Sequence, residues 1–327
     1  MVQICDYSSL IFAGNITVLL ILALATDYWE YRSFDKDKVI QEVSEMNDTF
    51  ILEPTDTKSY FQIRYICSRK ADSGQRLGLT LSESLYHPPI FVKIYRESVN
   101  ITSDPPKTPG GSLPYVQYEM EIFLQYGNLF RDCDDLESDV MFRIGLQKKR
   151  KNKCVYFHLT ADKSDVYRYA PALHHLEGAA CACALLCIVA MVIGLLLGGY
   201  GLFSYNSCLK SFQMASCLSL TAGYLLTLGI ALFHGKCSIL KKIEILPGID
   251  LPLKRVLNDS RIYSYGWSFS LAWICVFFCY TSSYVWLCKS QGSRRIRIAA
   301  RNKRQTDQKN VGKRGYTQCL HKDTTAL

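Results

Sequence analysis

The chain has 327 residues, of which 49% are hydrophobic, and a formal net charge of +9. Charged residues are absent from four long windows: Tyr7–Thr26, Gly178–Leu209, Ser211–Gly235 and Ile262–Cys288. Each window covers the roughly 20 residues that a helix needs to cross a hydrocarbon core. A soluble helix of that length would keep a charged face toward water, so the pattern excludes an ordinary soluble protein.

The first window has two interpretations. Ala23-Leu24-Ala25 follows a short apolar stretch and carries the small residues of a signal-peptidase site. The preceding segment Met1–Ser9 contains no Lys or Arg, whereas a signal peptide begins with positive charge. We therefore expect a retained first membrane helix, and cleavage after Ala25 is the alternative.

The charge after the fourth window predicts the orientation. Beyond Cys288 the chain carries 11 basic and 2 acidic residues, and basic residues beside a membrane helix mark the cytoplasmic side. Four crossings then place both ends in the cytoplasm, with the plasma membrane as the expected location and the endoplasmic reticulum as the alternative. The predicted segments are a cytoplasmic N-terminus (1–6), membrane helices at 7–26, 178–202, 211–233 and 263–288, a large outer loop (27–177), a cytoplasmic turn (203–210), a second outer loop (234–262) and a basic cytoplasmic tail (289–327).

Glycosylation sequons agree with this orientation. They begin at Asn47, Asn100 and Asn258, all in loops that the topology places outside. A further sequon begins at Asn15 inside the first helix, where we expect no glycan. There we interpret Asn15 as a hydrogen-bonding partner for another helix.

The large outer loop contains runs rich in aromatic and β-branched residues, typical of strands. These are Tyr60–Ile66, Ile90–Tyr95, Tyr115–Leu124 and Val155–Leu159. Polar stretches at Ser33–Asp56 and Ser98–Leu113 predict irregular structure. The predicted fold class is a membrane α+β protein, a four-helix transmembrane bundle topped by an extracellular antiparallel β-sheet. The polar, basic tail is predicted to be disordered until bound.

Three motifs carry a family resemblance. The first helix is followed by Thr26-Asp27-Tyr28-Trp29, the outer loop contains Gly127-Asn128-Leu129-Phe130-Arg131-Asp132-Cys133, and the fourth window opens on Tyr263-Ser264-Tyr265-Gly266-Trp267. Together they resemble the superfamily of claudins, peripheral myelin proteins and calcium-channel gamma subunits, in which a Trp after the first helix precedes a Gly-Leu-Trp-x-x-Cys…Cys signature. The resemblance implies a claudin-like fold in which Trp29 packs under the sheet. The signature residues are Trp29, Gly127, Leu129, Phe130, Tyr265, Gly266 and Trp267.

The chain departs from the claudin pattern at three places. Trp29 is separated from Gly127 by far more residues than in claudins. Gly-Asn-Leu-Phe replaces Gly-Leu-Trp, which shifts the aromatic residue by one position, and the two cysteines are separated by more residues than in claudins. The first and third motifs are similar to the gamma-subunit branch, and the long hairpin is similar to the transmembrane protein 178 branch.

The loops predicted to lie outside contain four cysteines, which allow three pairings. The resemblance selects Cys133–Cys154, and a second bridge between Cys67 and Cys237 follows only by subtraction. If Cys133 and Cys154 lie opposite each other in a hairpin, each pair of facing residues has numbers that add up to 287. This register places Asp134 opposite Lys153, Glu137 opposite Arg150 and Asp139 opposite Lys148. We favour internal neutralisation of these charges over an ion path.

Several residues suggest contacts on the cytoplasmic side. Cys208, Cys288 and Cys319 are candidates for palmitoylation, with inert thiols as the alternative. The terminal Thr325 and Leu327 match a PDZ-type ligand, and the basic tail is expected to attract anionic lipid. Gly194 and Gly198 form a small-residue motif that favours packing inside the bundle, with a partner's helix as the alternative.

The sequence contains none of the metalloprotease, serine-hydrolase or phosphate-loop motifs, so we predict no enzyme, no cofactor, no metal site and no nucleic-acid partner. The leading hypothesis is a gamma-subunit-like regulatory subunit of a channel or receptor in the same membrane, acting on trafficking, gating or calcium handling. The alternatives are a claudin-like adhesion or cell-junction protein and an endoplasmic-reticulum regulator of calcium signalling.

Overall fold

The computed structural model of the chain describes residues 2–45, 50–53, 60–68, 84–87, 90–95, 115–136, 142, 154–156, 171–204, 208–245 and 253–323. Within these ranges the principal elements are six helices and ten strands. Four of the helices are long and apolar enough to cross a membrane, as the sequence predicted. They are α1 (Val2–Ala25), α3 (Pro171–Phe203), α4 (Cys208–Lys242) and α6 (Trp267–Asp323).

All four helices differ from their predicted bounds. Helix α1 begins at Val2 instead of residue 7, and helix α3 begins at Pro171 instead of residue 178. Helix α4 continues to Lys242 instead of ending at residue 233. Helix α6 begins at Trp267 because Arg261–Tyr265 form a strand, and it continues to Asp323. The prediction of a disordered tail is therefore wrong for the part that the structure describes. The tail up to Asp323 contains no Pro, and its many Arg, Lys, Gln and Ala residues have high helix propensity.

Ten strands form two antiparallel sheets within the described residues. The first sheet has the order β10-β1-β7-β8-β9 and the second has the order β2-β3-β6-β5-β4. Their bounds are β1 Glu30–Phe34, β2 Phe50–Glu53, β3 Tyr60–Ser68, β4 Ser84–His87, β5 Ile90–Tyr95, β6 Tyr115–Phe123, β7 Gln125–Gly127, β8 Arg131–Asp134, β9 Cys154–Tyr156 and β10 Arg261–Tyr265.

The strand predictions hold for β3, β5, β6 and the start of β9, and the predicted antiparallel sheet structure is present. The strands divide into two five-stranded sheets, a division that the sequence did not predict. The stretch 33–56 is not irregular throughout, since it contains the helix α2 (Lys36–Glu45) and the strand β2. Helix α2 forms because Val39 and Val43 lie one turn apart and are both buried. The predicted irregular stretch 98–113 lies outside the described residues.

Contacts divide the chain into two compact units. The first unit comprises Met1–Ile21, Ala184–Thr227 and Trp273–Leu327. The second comprises Leu22–Cys183 and Leu228–Ala272, and it contains both sheets and the short helix α5 (Leu253–Asp259). Each membrane helix contributes one part to each unit.

Candidate functional site

Strand β1 places two charged residues on the buried side of the first sheet. Successive side chains of a strand point to opposite faces, and Glu30, Arg32 and Phe34 are the buried members of β1. Glu30 is 2% exposed and Arg32 is 4% exposed. Buried charges are costly unless they are paired, so the neighbouring strands and helices must supply partners.

The first partner of Arg32 is Asp132, which lies in the same sheet on the far side of Gly127. Glu30 lies opposite Gly127 on β7, and Gly127 lies opposite Asp132 on β8. A Cβ atom at Gly127 would lie 2.5 Å from Asp132 Oδ1, so only glycine leaves room for this carboxylate. Arg32 Nη2 donates to Asp132 Oδ1 and to Glu30 Oε1, both at 2.6 Å. The signature glycine thus makes space for an ion pair across three strands.

Two membrane helices complete the arrangement. Lys236 Nζ of α4 lies 3.3 Å from Glu30 Oε1 and 3.3 Å from Glu177 Oε1 of α3. Lys236 and Glu177 are 2% and 3% exposed. We call Glu30, Arg32, Asp132, Glu177 and Lys236 the buried ionic cluster. Its three carboxylates and two cations link the first sheet to the ends of two helices within one unit of the structure.

The electrostatics of the cluster keep Glu30 and Arg32 ionised. Burial raises the pKa of Glu30, but Arg32 and Lys236 outweigh this effect and hold the pKa at about 2 instead of the ordinary 4.5. Burial lowers the pKa of Arg32, while Asp132 and Glu30 raise it well above its usual value. The stabilisation from Glu30 is therefore present in full above pH 4.5 and is lost as the pH falls toward 2. The arrangement suits a structural lock rather than a proton switch at neutral pH.

Trp29 sits beside this cluster and is fully buried. Its Nε1 donates to the carbonyl of Ala23 at 2.6 Å, and its backbone N donates to Gly127 O at 2.9 Å. The indole packs edge-to-face against Phe233 and Phe269, with ring centroids 5.2 and 5.8 Å apart. The expectation that Trp29 packs under the sheet agrees with this position.

The third motif packs against the first. Gly266 N donates to Trp29 O at 3.0 Å, and a Cβ atom at Gly266 would lie 2.1 Å from Tyr28 O. Trp267 is 52% exposed, with its ring centroid 6.0 Å from that of Tyr28. Tyr265 Oη lies 2.5 Å from His234 Nδ1. The glycine therefore permits the close approach of two backbones, while the aromatic rings remain at the surface.

The departure Gly-Asn-Leu-Phe has a clear structural role. Asn128 Oδ1 accepts hydrogen bonds from the backbone N atoms of Phe130 and Arg131 at 2.7 and 3.0 Å, which fixes the turn between β7 and β8. Its Nδ2 donates to Asp27 Oδ1 at 2.9 Å. Leu129 is 3% exposed, so Leu129 rather than an aromatic ring supplies the buried apolar side chain. Phe130 is only partly buried.

The Cys133–Cys154 disulfide is confirmed. The β8–β9 pairs Arg131↔Tyr156, Asp132↔Val155 and Cys133↔Cys154 keep the predicted register. The Cys67–Cys237 bridge is wrong, because Cys237 is a free, buried thiol that donates to Glu30 Oε2 at 3.1 Å. The Cys67 side chain and the basic arm of the hairpin lie outside the described residues.

Replacing Cys133 with serine is expected to cost about 2–5 kcal/mol in the sheet-bearing unit, because the bond restricts the unfolded chain. Replacing Cys237 with serine keeps the donor to Glu30 and is expected to change stability far less. Thermal unfolding of the purified protein measures both effects. Equal stability of Cys133→Ser and the wild type would show that the disulfide does not stabilise this unit.

The remaining predicted sites fall in three groups. Asn258 lies in α5 and is partly buried, with its Oδ1 accepting from Ile245 N at 3.0 Å. Cys208 is partly buried and Cys288 is exposed. The others lie where the structure describes no side chain: Asn47, Asn100, Cys319, Thr325 and Leu327. Glycosylation, palmitoylation and PDZ binding stay predictions.

The small-residue motif of α3 packs inside the first unit, as the sequence favoured. A Cβ atom at Gly198 would lie 2.6 Å from ring atoms of Trp286, and one at Gly194 would lie 3.5 Å from Leu218 Cβ. Trp286 is 1% exposed and stacks on Phe212 at 5.7 Å. Trp286 is thus a core residue of this unit.

The two glycines are expected to respond differently to alanine. Gly198→Ala forces a methyl group into a buried indole and is expected to cost about 1–3 kcal/mol. Gly194→Ala makes an ordinary contact and is expected to gain roughly 0.5 kcal/mol from helix propensity. Thermal midpoints of the two variants in the same detergent compare them directly. Equal midpoints would contradict this packing.

These features define a protein with four helices able to cross a membrane and an antiparallel sheet beside them. At that sheet Trp29 of the first motif is hydrogen-bonded to Gly127 of the second motif and to Gly266 of the third. The family model described as PMP-22/EMP/MP20/Claudin tight junction matches residues 129–288. That stretch contains β8, the disulfide, α3, α4 and the membrane part of α6. The match supports a place in the claudin superfamily and does not distinguish between its branches. No curated protein matches the chain.

Sequence reasoning missed the buried ionic cluster. Lys236 lies just beyond the predicted third helix and Glu177 just before the predicted second helix, so the sequence assigns both residues to loops. The signal that could have found them is the pair Glu30 and Arg32, which a strand places on one face with Phe34. A buried strand face with two charges requires charged partners elsewhere.

Proposed function

We propose that this protein is a member of the claudin superfamily and a non-enzymatic auxiliary subunit that acts laterally on a channel or receptor in the plasma membrane. It would change the trafficking, gating or calcium handling of its partner by contact. The observation that carries the proposal is the second five-stranded sheet, which is inserted between β1 and β7 of the first sheet.

The insertion gives the outer part of the protein a large additional surface. Strands β1 and β7 are hydrogen-bonded neighbours, yet the chain between them supplies α2 and β2–β6. Strand β6 ends at Phe123 and β7 begins at Gln125, so the second sheet is tethered directly to the first. Such a module is suited to contact the extracellular part of a partner in the same membrane. The sequons at Asn47 and Asn100 belong to the insertion, and glycans there would hinder close apposition of two membranes.

The charges of the first sheet support the same proposal. A claudin-like ion path needs charges without internal partners. Among the described residues, the charged side chains of β1 and β8 are engaged inside the protein: Arg32 binds Glu30 and Asp132, Arg131 binds Asp27 at 2.6 Å, and Asp134 accepts from Gln125. These strands therefore offer little charge for lining a path between cells.

Expression in non-adherent cells tests the proposal. We expect no homotypic clustering and no enrichment where two expressing cells touch. Affinity purification of the full chain from native membrane, followed by mass spectrometry, is expected to recover a channel or receptor. Co-expression with that protein should change its surface level or current. A variant with Asn47→Gln and Asn100→Gln controls for steric blocking of adhesion by glycans.

A cell-junction protein is the second candidate, because the description of the matching family names tight junctions. Strong enrichment only at contacts between two expressing cells would favour this function and overturn the lateral proposal. Recovery of a channel without contact enrichment would favour the lateral function.

A further inference from the structure

Helix α1 has a face that the described part of the chain leaves uncovered. Ile11 and Val18 are 63% and 57% exposed, and Asn15 is exposed between them. Positions separated by three or four residues share one face of a helix, so these three side chains form a single stripe. A Cβ atom at the neighbouring Gly14 would meet nothing within 4 Å. The stripe therefore combines apolar side chains, an open glycine and one amide.

Asn15 lies close to the middle of the candidate span Tyr7–Ala25. No water is available at that depth to hydrogen-bond a polar group. Within the described residues, the Asn15 amide makes no hydrogen bond. Thr17 on the same helix behaves differently, because its Oγ1 donates to the Ala13 carbonyl at 2.9 Å. The described part of the chain therefore leaves the Asn15 amide, with two donor hydrogens and an acceptor oxygen, open to a partner from a second polypeptide.

We propose that a second copy of the chain covers this face, with α1 against α1 and the two Asn15 amides hydrogen-bonded across a twofold axis. A twofold interface places each residue opposite or near its own copy. An amide suits such an interface because it is both donor and acceptor and thus complements itself. Gly14 lets the second backbone approach closely. The dimer goes beyond the proposed function, since it requires no channel or receptor.

Single-molecule photobleaching of the full chain, labelled with one fluorophore per copy and counted in membranes, tests the dimer. The wild type is expected to show a two-step population that grows with surface density. Asn15→Leu is expected to weaken the dimer by about 5- to 30-fold, the effect of losing an interhelical polar contact. Val18→Leu changes the same face without touching the amide and is the matched control. Asn15→Gln keeps an amide and is expected to retain part of the dimer.

Normal formation of the Cys133–Cys154 disulfide in each variant shows that the fold is intact. A wild type that bleaches in one step at every density would overturn the proposal. So would an Asn15→Leu variant that dimerises as well as the wild type. Loss of a different co-purifying protein, with no change in self-association, would assign this face to that protein and also overturn the proposal.

Discussion

Replacing Lys236 with methionine is expected to destabilise the sheet-bearing unit by about 3–5 kcal/mol, the usual effect of removing one partner from a buried ionic group. Methionine has a similar volume, so the loss would come from charge and not from a cavity. Glu30 and Glu177 would each lose a cation at 3.3 Å. Arg32 would remain as the only cation among the three carboxylates of the cluster.

Thermal unfolding of the detergent-solubilised protein measures the effect, and glycan maturation reports it in cells. Lys242→Met is the matched control, because Lys242 lies on the same helix but is exposed. The double variant Lys236→Met/Glu177→Gln removes one charge of each sign and is expected to be less destabilised than the sum of its single changes. If Lys236→Met and Lys242→Met unfold at the same temperature, the cluster does not hold the sheet to the helices.

Replacing Gly266 with alanine is expected to have the second large effect, about 3 kcal/mol or more, because the new methyl group meets backbone instead of a movable side chain. The Cβ atom would lie 2.1 Å from Tyr28 O and 2.7 Å from Tyr28 C. Relieving that overlap would separate the strand end from the first motif. The hydrogen bonds from Gly266 N to Trp29 O and from Ser268 N to Tyr28 O would be lost together.

Gly235→Ala is the matched control for this experiment. A Cβ atom at Gly235 meets nothing within 4 Å, and alanine inside a helix is favourable by roughly 0.5–1 kcal/mol relative to glycine. The two variants are therefore expected to move the thermal midpoint in opposite directions. A Gly266→Ala protein as stable as Gly235→Ala would contradict the close backbone approach.

The sequence predicted the parts of the fold that depend on local composition. The four membrane helices follow from long uncharged windows, and strands such as β3 and β5 follow from runs of aromatic and β-branched residues. The predicted fourth helix, residues 263–288, includes the last three residues of β10. The cause is that Tyr263, Ser264 and Tyr265 are uncharged, like the helix that follows. Only pairing with β1, more than 200 residues earlier in the chain, makes Arg261–Tyr265 a strand.

The candidate site was predictable only where a motif carried it. Trp29, Gly127 and Gly266 were found through the family resemblance, and the structure supplies the physical reasons for both glycines. The pair Glu30 and Arg32 on one strand face indicates that charged partners exist. The identity of those partners was not predictable, because tertiary pairing alone brings Asp132 and Lys236 to β1. The prediction of a Cys67–Cys237 bridge rested only on the fact that these two cysteines remained once Cys133 and Cys154 were paired. It failed because an even number of cysteines does not require each one to form a disulfide. Cys237 instead lies buried beside Glu30.

The orientation predicted by the basic residues beyond Cys288 places both sheets outside and the tail in the cytoplasm. Glycan mapping by mass spectrometry, combined with labelling of a tag after Leu327 in sealed cells, tests it most directly. We expect glycans at Asn47, Asn100 and Asn258, none at Asn15, and a tag that is labelled only after permeabilisation. A glycan at Asn15, or a tag labelled in intact cells, would contradict this orientation.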